Sequence, residues 1–391
     1  MFLSDSHLPQ ILASEMYHSE EHYQREIERL FLPGWHCIGT TAEVPCDGDY
    51  LTRALFGYPL VVWRKDGDLH TFLNVCPHRF SLVCNAPSGN RDRLWCPYHG
   101  WEFDKHGDTC KIPDAQSFRP LEKGQLGLAR FHTQTCGQLI FVSLADEPPP
   151  LADYLGADFM RLCHAWFSDD WNQSFFVKRP NGANWKVSLE NSLEGYHNAT
   201  VHSETYQGWP DASVCTHELH DEFRSTLKVD AENEDDKAIT RLGKTVFKLA
   251  GVEPEFDFHE IHRYPNLVCA KFSKFTWAEI VIPTSPTDSY DLWYIFSRSA
   301  RGAGIRERLL SMGMRIWFKR WFRRILKEDE NMFPSVQAGT AAARRPGPGL
   351  ISIREERVFH FQKYLQRATA GKLELDDREV RGEPVTHSGL S

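Results

Sequence analysis

Residues 76–101 read CPHRFSLVCNAPSGNRDRLWCPYHGW, and the placing of two cysteines and two histidines in this stretch decides how the chain is read. Cys76-x-His78 and Cys96-x2-His99 stand 17 residues apart, each pair on what reads as a hairpin tip. Four soft or borderline ligands on two adjacent tips make a metal site. Zinc is one candidate, but zinc modules usually pair two cysteines and then two histidines, whereas here each tip supplies one of each. That division suits a [2Fe–2S] cluster with both thiolates on one iron and both imidazoles on the other. Neutral imidazoles raise the reduction potential and can lose a proton on oxidation, which couples charge to electron count. Gly100 is expected to let backbone approach the cluster, and Trp101 to shield it.

Around these tips, from about 36 to 145, short β-like runs alternate with turns: DYLTRAL, PLVVWRKDGDLHTFLNV, RLWCPYHGWEFDKHGDTCKI and GQLIFVSLA. KDGDL and DKHGD have hairpin-turn chemistry. The Pro-rich joint DEPPP (146–150) closes this small all-β unit. Before it, residues 14–31 carry apolar side chains at helical spacing, with Ser14 as the expected N-cap and Pro33-Gly34 as the stop. After it come a helix interrupted by loop at 184–206, a strand-like run at 222–229 and an acidic stretch, DAENEDD (230–236), read as a solvated loop. Alternating apolar runs follow at 266–273, 275–284 and 289–298, then one long amphipathic helix from about 305 to 338. The expected division is 36–146 for the metal-bearing β unit, 1–35 with 147–370 for a second unit, and 371–391 as a flexible tail.

The second unit has its own constellation in NWKVSLENSLEGYHNATVHSET (184–205). Glu194 and His197 are three apart and share a face if the segment is helical. His202 lies five beyond His197, so both reach one metal only if the helix bends or ends near Asn198–Thr200. Two histidines and a carboxylate with open positions form the facial triad that holds non-haem Fe(II) and leaves room for dioxygen. The carboxylate must come from elsewhere, and LKEDENMFPSVQAG (326–339) offers Glu328, Asp329 and Glu330. Alone, that acidic trio is a solvated helix turn, and 18 histidines make chance pairs common, so each motif taken singly is only suggestive.

Together the motifs carry a resemblance. The segment CPHRFSLVCN…CPYHGW resembles the Rieske family over about 36–145. NWK…EN…E-G-Y-H-x4-H, with ED-x-N-x4-V-Q-x-G, resembles the catalytic motifs of Rieske non-haem iron oxygenase α subunits. The resemblance implies an α+β chain: an all-β Rieske [2Fe–2S] domain plus a helix-grip catalytic domain, an antiparallel sheet wrapped on a long helix. It implies Cys76, His78, Cys96 and His99 as cluster ligands, His197, His202 and Asp329 as ligands of a mononuclear Fe(II), and dioxygen as co-substrate. It gives Glu194 the place of a carboxylate that carries electrons between the cluster of one subunit and the iron of the next in a homotrimer. Electrons would come from an NAD(P)H-dependent flavin reductase, with or without a ferredoxin, and the product would be a hydroxylated or oxidatively demethylated small molecule. Glutamate at 194 is similar to the branch of carnitine, choline and glycine betaine monooxygenases, which points to an alkylammonium substrate. Gly195 departs from that branch, where cysteine is frequent. An aromatic-ring hydroxylating dioxygenase is the alternative. Ser81 and Tyr98 replace the cysteines that form a disulfide in the respiratory branch, so no such bond is expected.

Bulk properties narrow the field. A formal charge of −8, pI near 6.1 and 13% aromatics fit a soluble enzyme and argue against a nucleic-acid binder or a disordered regulator. The N-terminus lacks a signal peptide's apolar run and the ten cysteines lack a disulfide framework, so reduced cytoplasmic thiols and no membrane span are expected. A pure Rieske electron carrier would need only about 100 residues, and a zinc-stabilised binding protein would explain the quartet but not the triad. The basic stretch RIWFKRWFRRILK (315–327) reads as a helix packing its aromatics inward, with docking of an acidic redox partner, or a membrane surface, as rivals. Trp209, Tyr206, Phe272, Phe275, Trp277 and Tyr294 are candidate pocket aromatics, and the loop region 206–262 carries no readable motif.

Overall fold

Ser14 does not cap the N-terminal helix. In the computed structural model, residues 14–17 form one 3₁₀ turn, and α1 (Glu20–Glu26) starts later, capped by Ser19, whose hydroxyl accepts from the His22 amide. Ser19 wins because Glu20 and Glu21 follow it in the first turn, where acids suit the helix dipole. The structure describes residues 1–370 apart from 123, 207–209, 221–222, 231–256, 299–303, 343, 345–346 and 348, so the expected tail and most of the acidic stretch lie outside the described residues. Tyr23, Ile27, Leu30 and Phe31 bury against Trp185 and Phe361, so the N-terminal segment packs on the C-terminal half of the chain.

Strands β1 (Trp35–Thr40), β2 (Asp49–Leu55), β3 (Tyr58–Lys65), β4 (Asp68–Leu73), β5 (Ser88–Asn90), β6 (Leu94–Trp95), β7 (Glu102–Phe103), β8 (Thr109–Lys111), β9 (Arg130–Cys136) and β10 (Leu139–Ser143) build the first, all-β unit. They pair as two antiparallel sheets, β1-β10-β9-β4-β3-β2-β5 and β6-β7-β8. The turns at KDGDL and DKHGD fall where expected, the first with Asp66 and Gly67 at positive φ.

The second sheet runs β11 (Trp171–Pro180), β12 (Cys215–His220), β13 (Arg224–Val229), β14 (Phe258–Arg263), β15 (Leu267–Phe272), β16 (Phe275–Ser285) and β17 (Asp288–Arg298) along the chain. Their spatial order is β11-β17-β16-β15-β14-β13-β12, antiparallel throughout, so β12 is an edge. Helices α2 (Trp185–Ser192) and α3 (Asn198–Val201) lie between β11 and β12 in sequence, and α4 (Ile305–Glu330) follows β17. The sheet grips α4: Phe318 stacks on Phe275 at 3.8 Å, and Phe322 meets Trp277 and Trp293 edge-on. Burying each such ring is worth about 1.5–3 kcal/mol. In 315–327, Phe318, Phe322, Ile325 and Leu326 point inward as expected, whereas Trp317 and Ile316 are half exposed.

The expected single helix 305–338 is two. α4 stops at Glu330, the chain turns through Asn331 and Met332, and α5 (Phe333–Thr340) resumes. Pro334 explains the break: it has no N–H to give the preceding turn, and its ring disfavours helical backbone before it. α6 (Glu356–Thr369) completes the packing. The two sheets share one core, in which Cys37, Phe141 and Leu139 meet Leu267, Cys269 and Tyr294.

Candidate functional site

The loop after β4 carries Cys76 and His78, and the loop between β6 and β7 carries Cys96 and His99. Their backbones match. Phe80 N–H donates to Cys76 O and Gly100 N–H to Cys96 O, both at 2.9 Å, while each cysteine N–H donates to the carbonyl of the fifth residue on. Both fourth residues are left-handed, Phe80 at φ +59° and Gly100 at φ +72°. Gly100 is therefore favoured by its backbone angle, which Phe80 adopts in the other loop with a side chain, and not by close approach, since an added Cβ would meet only Pro113, at 3.4 Å. Trp101 does shield the site: it is buried and stacks on His78 at 5.1 Å. All ten cysteines are free thiols.

The quartet fits a cluster. Cys76 and Cys96 are buried, and burial pushes the Cys76 thiol up to about 11. His78 Nδ1 and His99 Nδ1 are buried with no hydrogen-bond partner, the rings 4.5 Å apart. Two unpaired imidazole nitrogens beside two buried thiols are costly unless a metal group takes them up.

In the second unit, α2 is fixed at its N-terminal end. Asn184 caps it by accepting from Lys186 N–H at 3.0 Å, and buried Glu26 accepts from Lys186 Nζ at 2.7 Å and from Trp185 Nε1 at 2.8 Å. The helix ends at Leu193, so Glu194 and His197 are brought together by a turn, not by a shared helical face. Glu194 Oε2 accepts from the Tyr196 and His197 amides, and Oε1 accepts from His197 Nδ1 at 2.5 Å. One short turn of helix, α3, then carries the chain to His202, which reconciles the five-residue spacing.

His197, His202 and Asp329 converge. Their ligand-capable atoms lie within 4.8 Å of one another, the one such group of three His, Cys, Asp or Glu side chains among the described residues. Asp329 Oδ1 is 3.0 Å from His202 Nε2 and 3.5 Å from His197 Nε2, yet it is buried without a hydrogen bond of acceptable geometry. Atoms so placed face a common point between them. The other nitrogens are occupied: His197 Nδ1 donates to Glu194, and His202 Nδ1 donates to Glu328 Oε2 at 2.9 Å. A carboxylate can only accept, so each Nδ1 carries the proton and each Nε2 keeps its lone pair for a metal. The residues present fit a three-ligand iron site with an open side.

Of the acidic trio, Asp329 points at the histidines and Glu330 pairs with Arg179. Glu328 orients His202, and also accepts from Thr205 Oγ1 at 2.6 Å and Arg324 Nε at 3.0 Å. The sequence reading missed that role, although three consecutive acids at a helix end were the available signal.

The triad opens into a cavity lined by Tyr206, Phe258, Phe272, Trp277, Trp293, Trp321 and Phe322, together with Glu260 and Glu279. Tyr206, Phe272 and Trp277 are thus where they were expected. Phe275 and Tyr294 are not: Phe275 stacks under α4, and Tyr294 donates to Ile38 O in the shared core. Trp209 lies outside the described residues. Burial alone would raise Glu260, but His262 and Arg357 outweigh it and hold its carboxyl below the usual range. Arg357 Nη1 and Nη2 and His262 Nε2 all reach Oε1, at 3.0–3.1 Å. Glu279 and Asp291, in contrast, are pushed up by burial, Asp291 to about 7.

Comparison with known proteins agrees with this geometry. Residues 34–131 match the Rieske [2Fe-2S] domain, and residues 168–371 match the ring hydroxylating alpha subunit (catalytic domain). The chain is 32% identical over 216 residues to the anthranilate 1,2-dioxygenase large subunit of Burkholderia cepacia, covering 51% of this chain and 50% of that one. It is 32% identical over 203 residues to the glycine betaine monooxygenase oxygenase subunit of Chromohalobacter salexigens, covering 51% and 44%. The chain thus spans about half the length of the curated relatives it matches. The quaternary ammonium Rieske monooxygenase CntA shares the fold with a TM-score of 0.76 at 20% identity, over 92% of this chain and 95% of that one. Naphthalene 1,2-dioxygenase from Rhodococcus sp. does so at 0.72 and 19%, over 93% and 94%. With an all-β [2Fe–2S] unit ahead of a helix-gripping sheet that gathers two histidines and an aspartate, the chain belongs to the Rieske ring-hydroxylating oxygenase α-subunit family.

Proposed function

We propose that this chain is the terminal oxygenase of a Rieske non-haem iron system, a monooxygenase acting on a small alkylammonium compound. On this reading Cys76, His78, Cys96 and His99 hold the cluster in a unit spanning 36–146. His197, His202 and Asp329 hold the iron in a unit made of 1–35 and 147–370. The packing of α1 on Trp185 and Phe361 supports that division. The observation that carries the reading is the triad: two Nε2 atoms and a carboxylate oxygen converge in a cavity, each imidazole fixed by a carboxylate behind it. When bound, the metals supply electron storage and dioxygen activation.

The chain's own residues do the rest. Glu194 and Glu328 set ring orientation and tautomer. The aromatic walls exclude water, which strengthens every charge interaction inside. The rings of Trp277 and Phe258 in the cavity lining are suited to a cationic ammonium group, while the charge of Glu260 is already paired with Arg357.

The electron route is proposed to cross from His99 of one subunit through Glu194 to His197 of the next in a head-to-tail homotrimer, a heterologous interface closed by three-fold rotation. The donor would be an NAD(P)H-dependent flavin reductase, with or without a ferredoxin. A cytoplasmic setting agrees with that donor and with the eight cysteines outside the proposed cluster, none of them in a disulfide. No helix among the described residues is long and apolar enough to cross a membrane.

Oxygen uptake with a surrogate reductase, run over alkylammonium compounds and over aromatic acids and hydrocarbons, tests the reading. Uptake coupled to product with the first group supports it. Coupled cis-dihydroxylation of the second would replace it with the aromatic-ring dioxygenase.

A further inference from the structure

Phe2 lines the active-site cavity, and the residues on either side of it are tied to the fold. Met1 O accepts from the His217 amide at 3.2 Å, and the Met1 nitrogen donates to Cys215 O and, at 2.9 Å, to Thr216 Oγ1. Residue 1 therefore pairs along β12, the exposed edge of the sheet, as an added strand would. The next two amides run into one buried carboxylate: Leu3 N–H donates to Glu356 Oε1 and Oε2 at 2.9 and 3.0 Å, and Ser4 N–H to Oε2 at 2.8 Å. His217 Nδ1 donates to the same Glu356 at 3.0 Å. Between these anchors the Phe2 ring packs edge-on against His217, 4.9 Å between centroids.

Phe2, Cys215 and His217 line the same cavity as His197, His202 and Asp329. Glu356 and His217 are 1% and 4% exposed, so the anchor is part of the core rather than a surface contact. Charge-assisted bonds from backbone N–H groups to a buried carboxylate are among the stronger hydrogen bonds. Burial would raise Glu356, but the bonds from His217, Leu3 and Ser4 outweigh it and keep the carboxyl ionised.

We propose that residues 1–4 form a strap, pinned by Glu356, and that Phe2 is the wall of the cavity that limits the length of substrate the site accepts. This rests on the reading of the cavity as the substrate pocket. Among the described lining, Trp277, Trp293, Trp321 and Phe322 are fixed in the sheet and α4, whereas Phe2 is carried by a segment tied down through Glu356 and the His217 amide, so its ring is the part of the described wall that the strap places.

Two measurements on the full-length holoenzyme test this. The first needs no ligand: the rate at which iodoacetamide alkylates Cys215, followed by peptide mapping. Cys215 is 7% exposed, lines the cavity together with Phe2, and accepts from the Met1 nitrogen at its carbonyl. Phe2→Ala and Glu356→Gln are expected to raise that rate at least tenfold, while Phe2→Trp leaves it at or below the parent rate. The second is calorimetric titration, under anaerobic conditions, with alkyltrimethylammonium ions of increasing chain length. Phe2→Ala should leave tetramethylammonium binding unchanged and move the length cut-off upward, gaining about fourfold in affinity per extra methylene buried. Phe2→Trp should move it downward.

An unchanged Cys215 rate in Phe2→Ala overturns the strap. A raised rate with the same length profile in all three proteins overturns its role in specificity, as does equal loss of binding for every length. Should no alkylammonium ion bind the parent protein, the ammonium reading falls. The length profile is then taken with n-alkylbenzenes, and the strap stands or falls on that series and on Cys215.

Discussion

Glu328→Gln isolates the carboxylate that orients His202 without touching a proposed ligand. Glu328 accepts three hydrogen bonds, from His202 Nδ1, Thr205 Oγ1 and Arg324 Nε. Arg324 is 59% exposed, so its pairing is screened and contributes about 0–1 kcal/mol. The His202 bond is different, because that imidazole is 2% exposed and the bond is charge-assisted. Such bonds are worth about 1.5–3 kcal/mol. Glutamine can keep one acceptor on His202, but its amide then faces the Thr205 hydroxyl, which can turn to accept, and the Arg324 guanidinium, which cannot. The expected net loss is about 1.4–2.7 kcal/mol, a 10–100-fold weaker hold on ferrous iron. Competition against a ferrous chelator on cluster-replete protein reads this directly, and the nitrosyl-iron paramagnetic resonance signal reports any change in ligand geometry. Iron affinity within twofold of the parent would show that Glu328 does not position His202. Complete loss of iron from Glu328→Gln, with retention in Asp329→Ala, would make Glu328 the ligand and refute the assignment of the triad.

Cys96→Ser should abolish the visible absorption and bound sulfide while sparing mononuclear iron, since the two sites lie in different units; a normal Rieske resonance signal in that variant would refute the cluster assignment. Glu194→Gln keeps size and loses charge. It should leave both metals bound and the oligomer intact but slow single-turnover reoxidation of the pre-reduced cluster sharply, and a parent-like rate would remove Glu194 from the electron route. Burial holds His36 and His262 down at about 4, so between about pH 6.5 and 4 each binds a proton in the unfolded chain that it does not bind in the folded one. Each thus removes about 1.4 kcal/mol of stability per unit of falling pH, while Asp291, pushed up to about 7, and Glu279 take up protons first in the folded chain and work the other way. Urea midpoints of the parent and of His36→Gln across that window isolate one histidine: the two slopes should differ by one proton, the variant losing less stability in acid.

Much of this protein is written locally in its sequence. Cys76, His78, Cys96 and His99 are legible because a cluster needs fixed residue types at fixed short spacings, and the hairpins around them follow from turn residues such as Asp66-Gly67. The runs at 275–284 and 289–298 became β16 and β17 because alternation along a strand is a two-residue property. Sequence could also name Glu194, His197, His202 and Asp329, each within a short motif. It could not say how they meet. Glu194 reaches His197 through a turn that begins where α2 ends, and that end is held by distant partners: Ser192 Oγ donates to Glu279 Oε2 at 2.9 Å, and Leu193 is fully buried.

Some features were decided only by tertiary packing. Whether an aromatic faces the cavity depends on which surfaces close over it: Tyr294 lies in the core shared by the two sheets, and Phe275, in the α4 cluster with Trp277, is covered by Phe318, while Trp293 and Phe322 reach the pocket. The identity of Glu328 as the partner of His202, rather than a solvated neighbour of Asp329, depends on where α4 stops against Thr205. The docking of Phe2 beside His217 depends on an edge strand and on a carboxylate more than 350 residues away. Residue spacing records which side chains can share a local geometry. It holds no record of which distant surfaces close on each other, because that is set by the burial of whole faces rather than by any one stretch of chain.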